Sequence, residues 1–172
     1  DYVYEQISDT KKFLGFALPG ENRQLSIYNG LCRLREIANP EDIVLIQDAA
    51  RPNTSLTLIE KCFSLEEDAD GVMPVLPMKD TVYLSEDGRA ISSLLERKKV
   101  FAGQAPESFR FGKYLAANEA LLPEKILTIN GSTEPAILAG MNIRMIPGEE
   151  SNFKITTEAD LKRYESICVR GN

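Results

Sequence analysis

Histidine is missing from all 172 residues. That absence removes Ser–His and Cys–His nucleophilic mechanisms, together with the commonest general base near neutral pH. Chemistry on this chain therefore falls to Asp, Glu, Lys, Arg and any metal they hold. Cysteine is scarce: Cys32, Cys62 and Cys168 are odd in number, far apart and outside any CxxC spacing. This points away from a disulfide framework and a zinc site, and a reducing cytoplasm is the compartment expected. A basic excess is missing too. Lys and Arg number 20 against 26 Asp and Glu, a net charge of -6, which suits neither a nucleic-acid backbone nor an anionic membrane surface. Small anions can still find a local basic site. No apolar run is long enough to span a bilayer, and no stretch reads as a signal peptide, repeat or low-complexity tract. The expectation is a soluble, intracellular protein.

What is present is ordinary for a globular chain, with 43% hydrophobic and 27% charged residues. It opens on Asp1 rather than methionine, so a start that was processed, trimmed or never the gene's own is expected. A helix is expected over residues 2–13 with Gly15 as its stop, then a turn at PGEN (19–22) and a helical apolar face over 26–34. IVLI (43–46) is an unbroken apolar run, the pattern of a strand buried on both faces of a parallel sheet. A helix at 55–65 and an apolar strand at 71–76 follow. TVYL (81–84) and RAI (89–91) flank SEDG, a hairpin signal because Asp-Gly suits a tight turn. Beyond it come a strand at 99–102, a helix at 112–122 ended by Pro123, and a weaker helix at 134–139 closed by Gly140. A strand at 142–146 precedes a capped helix at 157–167, where Thr157 stands ahead of Glu158 and Asp160. Strand follows helix repeatedly, so the fold class is α/β, with one domain over 1–172 and a protruding hairpin.

The charged residues gather at a few points. IVLIQDAARP (43–52) ends its strand on Asp48 and Arg51, and ligands of open α/β sheets bind beyond the carboxyl ends of the strands. A carboxylate there suits Mg²⁺ and a guanidinium forks to phosphate. The plainer alternative is a turn-capping Asp48 paired with Arg51 on the surface, and the motif alone does not choose between them. GENRQLS (20–26) sets a turn glycine, a guanidinium and a hydroxyl at a helix entrance, fit to receive a base edge or phosphate, or simply to start a helix. SNFKITT (151–157) places one lysine between apolar neighbours, where it would neutralise a transferring phosphate.

Taken in order, GENRQLSIYNGL, IVLIQDAARP, GVMPVLPMKDTV, GQAPESFRFG and IPGEESNFKITTEADL resemble the blocks of the cytidylyltransferases that act on sugar-alcohol phosphates, the methylerythritol phosphate and ribitol phosphate enzymes. One block is weak evidence, but five in sequence are specific. The resemblance implies a Rossmann-like nucleotidyltransferase with a mixed, mostly parallel sheet and a β-arm at residues 79–102 that exchanges contacts in a homodimer. It implies attack of a polyol phosphate, such as 2-C-methyl-D-erythritol 4-phosphate, on the α-phosphate of CTP. The products are a CDP-polyol and pyrophosphate, with Mg²⁺ as charge clamp. Such chemistry rests on positioning and electrostatics and needs no histidine. By the same resemblance Gly20, Glu21, Arg23 and Ser26 receive cytosine and ribose, Asp48 holds the metal and Ala49 touches the nucleotide. Arg51 lies on the polyol phosphate side, and Lys154 is the catalytic lysine on the reacting phosphates, with Thr156 beside it in the substrate site.

The chain also departs from the family pattern. The family's GGxGxR-type loop and the lysine after it, which cradle the triphosphate, are absent from these residues. About 30 residues or more of strand and loop are expected ahead of Asp1, and this chain alone is expected to show little or no cytidylyl transfer. Ala105-Pro106-Glu107 stands where the family reads Thr-Pro-Gln, and Asn130-Gly131 aligns with its Thr-Asp; both blocks bear on the acceptor. DAARP resembles the methylerythritol branch, and Asn118-Glu119-Ala120-Leu121 the ribitol branch. Two other readings remain at this point. One is a truncated or degenerate homologue serving as a non-catalytic nucleotide-binding or dimer scaffold. The other is a nucleotide-sugar glycosyltransferase, which a DxD pair would favour and Asp48-Ala49-Ala50 lacks.

Overall fold

The computed structural model describes residue 5 and residues 11–170. The helix expected over residues 2–13 lies almost wholly outside the described residues. From there the elements are α1 (Arg23–Leu34), β1 (Ile43–Ile46), α2 (Leu56–Phe63), β2 (Gly71–Pro77) and the short pair β3 (Tyr83–Leu84) and β4 (Ser93–Leu94). They continue with β5 (Phe101–Gly103), β6 (Glu107–Arg110), α3 (Phe111–Glu119), α4 (Glu134–Leu138), β7 (Ile143–Pro147) and α5 (Glu158–Arg170).

Local chemistry sets the helix starts. Asn22 has extended backbone and accepts the Leu25 N–H at 2.8 Å, which caps α1 three residues ahead of the expected 26. Ser55 caps α2 by accepting the Leu58 N–H at 3.0 Å. At α5 the cap is reciprocal: the Thr157 hydroxyl accepts the Asp160 N–H at 3.2 Å, and the Asp160 carboxylate accepts the Thr157 N–H at 2.9 Å.

Five strands form one mixed sheet in the order β1–β6–β2–β5, with β7 on the other edge of β2. β1, β2 and β7 run in one direction, and β5 and β6 run against them. β6 does not read as a strand from sequence because it opens on two polar residues, Glu107 and Ser108, yet both are buried between β1 and β2. The Ser108 hydroxyl is satisfied by donating to the Cys62 carbonyl. A Cβ on Gly71 would sit 2.5 Å from the Ser108 carbonyl oxygen, so glycine is what lets β2 close on β6.

β1 differs from its expected burial on both faces. All four of its residues are half-buried; among the described strands it is the outermost of its side of the sheet, pairing with β6 alone. Along it runs an apolar groove of about 1060 Å³ lined by Leu14, Phe16, Leu18, Leu31, Val44 and Ile46, among others. The hairpin also shifts. Its second strand is Ser93–Leu94 rather than 89–91, because the Asp87 carboxylate accepts the N–H groups of Arg89 and Ala90 and the Ser85 hydroxyl donates to the Ala90 carbonyl. Those groups are taken locally, and ladder pairing begins only beyond them. The main core packs Leu31, Phe109, Phe111, Tyr114, Leu115 and Ala136. Within it the rings of Phe109 and Tyr114 stack at 4.0 Å, which ties β6 to α3.

Candidate active site

The end of β1, the entrance to α1 and the loop between β7 and α5 meet at Asp48. Its carboxylate is largely covered, with 11% of the side chain exposed, and three cations converge on it. Arg23 Nη2 donates to Oδ1 at 2.7 Å and Arg51 Nε to Oδ2 at 3.2 Å. Lys154 Nζ stands 3.5 Å from Oδ2. Burial alone would push this carboxyl up. The hydrogen bond and charge of Arg23, the charge of Lys154 and the Arg51 bond together outweigh burial and hold Asp48 below the usual carboxylate range. Three positive charges against one negative leave a local excess, on a chain whose net charge is -6, and an anion arriving there meets uncommitted positive potential.

The backbone fixes this convergence. The turn after β1 closes through Arg51 N–H to the Asp48 carbonyl at 3.0 Å, and the Lys154 loop is bound to it by Ile155 N–H to the Ala50 carbonyl at 2.9 Å. Arg51 Nη1 donates to the Asn152 carbonyl at 2.6 Å. Asn152 is fully buried and joins three segments: its amide donates to the Ala105 carbonyl at 2.7 Å and its Oδ1 accepts from the Thr54 hydroxyl at 2.9 Å. Gln104 completes the frame by donating to the carbonyls of Glu149 and Asn152.

The other residues singled out from the sequence take several places. Gly20 and Ser26 form the entrance to α1, where the Ser26 hydroxyl accepts the Gly20 N–H at 2.9 Å and donates to the Asn22 carbonyl at 2.9 Å. That hydroxyl shapes the loop. A Cβ on Gly20 would lie 2.5 Å from the Leu25 side chain, so the loop depends on glycine there. Glu21 and Ala49 are exposed on the rim. Thr156 is turned toward α5, where its hydroxyl and N–H both donate to Asp160. Asn130 and Gly131 are exposed, whereas the adjacent Ser132 and Thr133 are buried beside Glu107. Sequence reasoning set Glu107 in a block that bears on the acceptor, but missed Gln104 and Asn152 as the frame of this region; the one available signal was polar residues set among apolar neighbours.

Known proteins bear on the same arrangement. The family model described as 2-C-methyl-D-erythritol 4-phosphate cytidylyltransferase matches residues 5–170. The chain belongs to this family. A relative of that name from Rubrobacter xylanophilus is 37% identical over 92% of this chain and 67% of its own length. Another from Neorickettsia sennetsu is 40% identical over 89% of this chain and 65% of its own. The chain thus spans about two thirds of the length of these cytidylyltransferase relatives. In fold it resembles the 4-diphosphocytidyl-2C-methyl-D-erythritol synthase of Anaerococcus prevotii, with a TM-score of 0.81 and 22% identity over 97% of this chain and 73% of that one. The Rossmann-like α/β architecture of the cytidylyltransferase family is therefore the architecture of this chain.

Proposed function

We propose that this chain carries the Asp48, Arg23, Arg51 and Lys154 half of a site that transfers CMP from CTP to a polyol phosphate, with 2-C-methyl-D-erythritol 4-phosphate as the acceptor. The observation that supports it is the convergence of three cations on one largely covered, ionised carboxylate at the end of β1. Phosphate oxygens are strong acceptors for the Arg51 guanidinium and the Lys154 ammonium. An incoming triphosphate exchanges with Asp48 for these donors, leaving carboxylate oxygens free. Lys154 then faces the charge that grows on the transferring phosphate, and Arg51 orients the acceptor phosphate. Gly20, Glu21, Arg23 and Ser26, with Ala49 on the rim, receive the cytidine, and Thr156 keeps the Lys154 loop on α5.

The donor set suits Mg²⁺. Asp48 is a hard oxygen ligand held ionised, and among the described residues no group of three or more His, Cys, Asp or Glu side chains could hold a metal alone. That matches a cation that binds through one carboxylate and completes its shell with substrate phosphates and water. Bound at Asp48, Mg²⁺ supplies charge neutralisation to the triphosphate. The reading is tested by pyrophosphate release from CTP with a panel of polyol phosphates, using a form that carries a GGxGxR-type loop. Release with methylerythritol phosphate, and not with ribitol phosphate, is expected; release with neither contradicts it.

Arg23→Ala is expected to weaken CTP binding about tenfold and to narrow the preference for CTP over UTP, with a smaller effect on the chemical step. Calorimetric titration with both nucleotides checks this. Ser26→Ala is expected to act in the same direction through the loop, since it removes the acceptor of the Gly20 N–H.

The same reading includes a homodimer built on the arm. Tyr83, Leu84, Ile91 and Leu94 are exposed on the hairpin at 53%, 48%, 67% and 64%, an apolar surface of the kind that soluble monomers avoid. Light scattering at micromolar concentration is expected to return a dimer mass, and Leu84→Asp combined with Leu94→Asp a monomer mass. The cytoplasm suits a protein with free cysteines at 32, 62 and 168 and with no helix, among the described residues, long and apolar enough to cross a membrane.

A further inference from the structure

Arg23 stands in α1 between two residues whose side chains are anchored in the interior. Ahead of it, Asn22 donates from Nδ2 to the Ile126 carbonyl at 2.9 Å, while its Oδ1 caps Leu25. After it, Gln24 is 1% exposed and donates from Nε2 to Asn118 Oδ1 at 2.6 Å and to the Tyr114 hydroxyl at 3.1 Å. Leu25 packs against Leu121, Ile126 and Ile129. The first turn of α1 is therefore fastened to α3 and to the 3₁₀ turn Lys125–Thr128 on both sides of Arg23. The Arg23 side chain, 39% exposed, reaches the other way to Asp48.

The buried network has one hydrogen-bond direction. Asn118 and Tyr114 are fully buried. Asn118 Nδ2 donates to the Tyr114 carbonyl at 2.8 Å, so Asn118 Oδ1 accepts and Gln24 turns its amide nitrogen to it. The Tyr114 hydroxyl gives its own proton to the Ser132 carbonyl at 2.6 Å, so toward Gln24 it only accepts. Gln24 Oε1 is left buried without a partner. A joint that served packing alone would be more stable with apolar side chains, because burying polar groups costs desolvation and nothing offsets an unpaired acceptor. The polar joint adds direction instead. Asn118 Oδ1 accepts Gln24 in one placement of α1 along α3, whereas an apolar contact tolerates a slide. Arg23 depends on that placement. Water screens its bond to Asp48, and a long side chain gives up rotamer freedom to hold one geometry, so the backbone must aim it.

We propose that Gln24, with Asn22 ahead of it, is a positioning residue that aims Arg23 at Asp48 and at the nucleoside of a bound nucleotide. The first of these aims rests on the Arg23–Asp48 geometry alone, and the second rests on the proposed function.

The test replaces both partners of the buried pair, Gln24→Met together with Asn118→Leu, so that neither is stranded and the orphan Oε1 goes with them. The urea midpoint should equal or exceed that of wild type. CTP binding, followed by calorimetry, should nevertheless weaken by about three- to tenfold, with a narrower preference for CTP over UTP. In an Arg23→Ala background the same pair should have no further effect, because no guanidinium is left to aim. A pair variant that binds CTP like wild type, or a loss of equal size with and without Arg23, overturns the proposal. A readout without nucleotide separates it from the proposed function. The side-chain nitrogen signals of Arg23, assigned by their loss in Arg23→Ala, should show guanidinium rotation slowed by Asp48 in wild type and freed in the pair variant. Slowed rotation in both, or in neither, overturns the positioning role. Absence of CTP binding to wild type, with the signals changing as expected, defeats the proposed site and leaves the positioning role standing. If the pair variant fails to fold, Asn22→Ser takes its place: serine keeps the cap of α1 but gives up the bond to the Ile126 carbonyl, which still accepts the Ile129 N–H. Freed rotation of Arg23 in that variant supports the proposal, and unchanged rotation contradicts it.

Discussion

Asp48→Asn is expected to lower cytidylyl transfer more than tenfold while the fold survives. The change keeps the size of the side chain and one oxygen acceptor, so the turn closed by Arg51 N–H and the Asp48 carbonyl remains. What it removes is the negative charge on which Arg23, Arg51 and Lys154 converge. Stability should fall by only about 1 kcal/mol, because Arg23 and Lys154 are substantially exposed and water screens their pairing. Turnover should fall further. Loss of a group that stabilises charge on a transferring centre typically amounts to about 3 kcal/mol, and without the carboxylate the metal loses its protein ligand. Pyrophosphate release, measured in a form that carries the GGxGxR-type loop, checks the magnitude. Metal-free CTP should bind the variant as well as it binds wild type or better, since the cations no longer have an internal partner.

Asn152→Ala carries the second large effect, and it is one of stability first. The substitution leaves the buried Ala105 carbonyl without its amide donor, while the half-buried Thr54 hydroxyl keeps a second acceptor in the Arg51 carbonyl at 3.0 Å. At roughly 1–3 kcal/mol for a buried group left unpaired, the expected loss is about 1–3 kcal/mol, before the small cavity is counted. Urea unfolding should show a lower midpoint with an unchanged slope. Arg51 and Lys154 depend on the same loop, through the Asn152 carbonyl and the Ile155 N–H. Variants that stay folded at low temperature should therefore also bind nucleotide more weakly. A loss below about 1 kcal/mol would mean that the network repacks without Asn152.

Much of this is legible in the sequence where local chemistry decides. Ser55 and Thr157 announce their helices because a side-chain oxygen at a helix start satisfies backbone donors within three residues. The gathering of Arg23, Asp48, Arg51 and Lys154 is implied by the family resemblance of their blocks, since strand ends and loop composition alone leave a surface turn cap equally open. What stays hidden depends on pairing across the chain. β6 cannot be read from ESFR, since Glu107 and Ser108 are buried by β1 and β2, more than 30 residues away in sequence. IVLI looks like a strand covered on both faces, but its burial is set by what flanks it, and among the described strands β6 alone pairs with it. The hairpin strand moves from 89–91 to Ser93–Leu94 because Asp87 captures two backbone donors, a local competition that residue patterning does not register. Thr156 is a substrate contact by resemblance alone, and its hydroxyl donates to Asp160 four residues on.

The most direct test of the account is the magnesium dependence of CTP binding, measured by calorimetry on wild type and Asp48→Asn. If Asp48 is the protein ligand of a metal-bound triphosphate, Mg²⁺ tightens CTP binding to wild type by about tenfold or more, an interaction difference near 1.4 kcal/mol, and that gain disappears in the variant. A magnesium gain of the same size in both proteins would remove Asp48 from the site and contradict the proposed function.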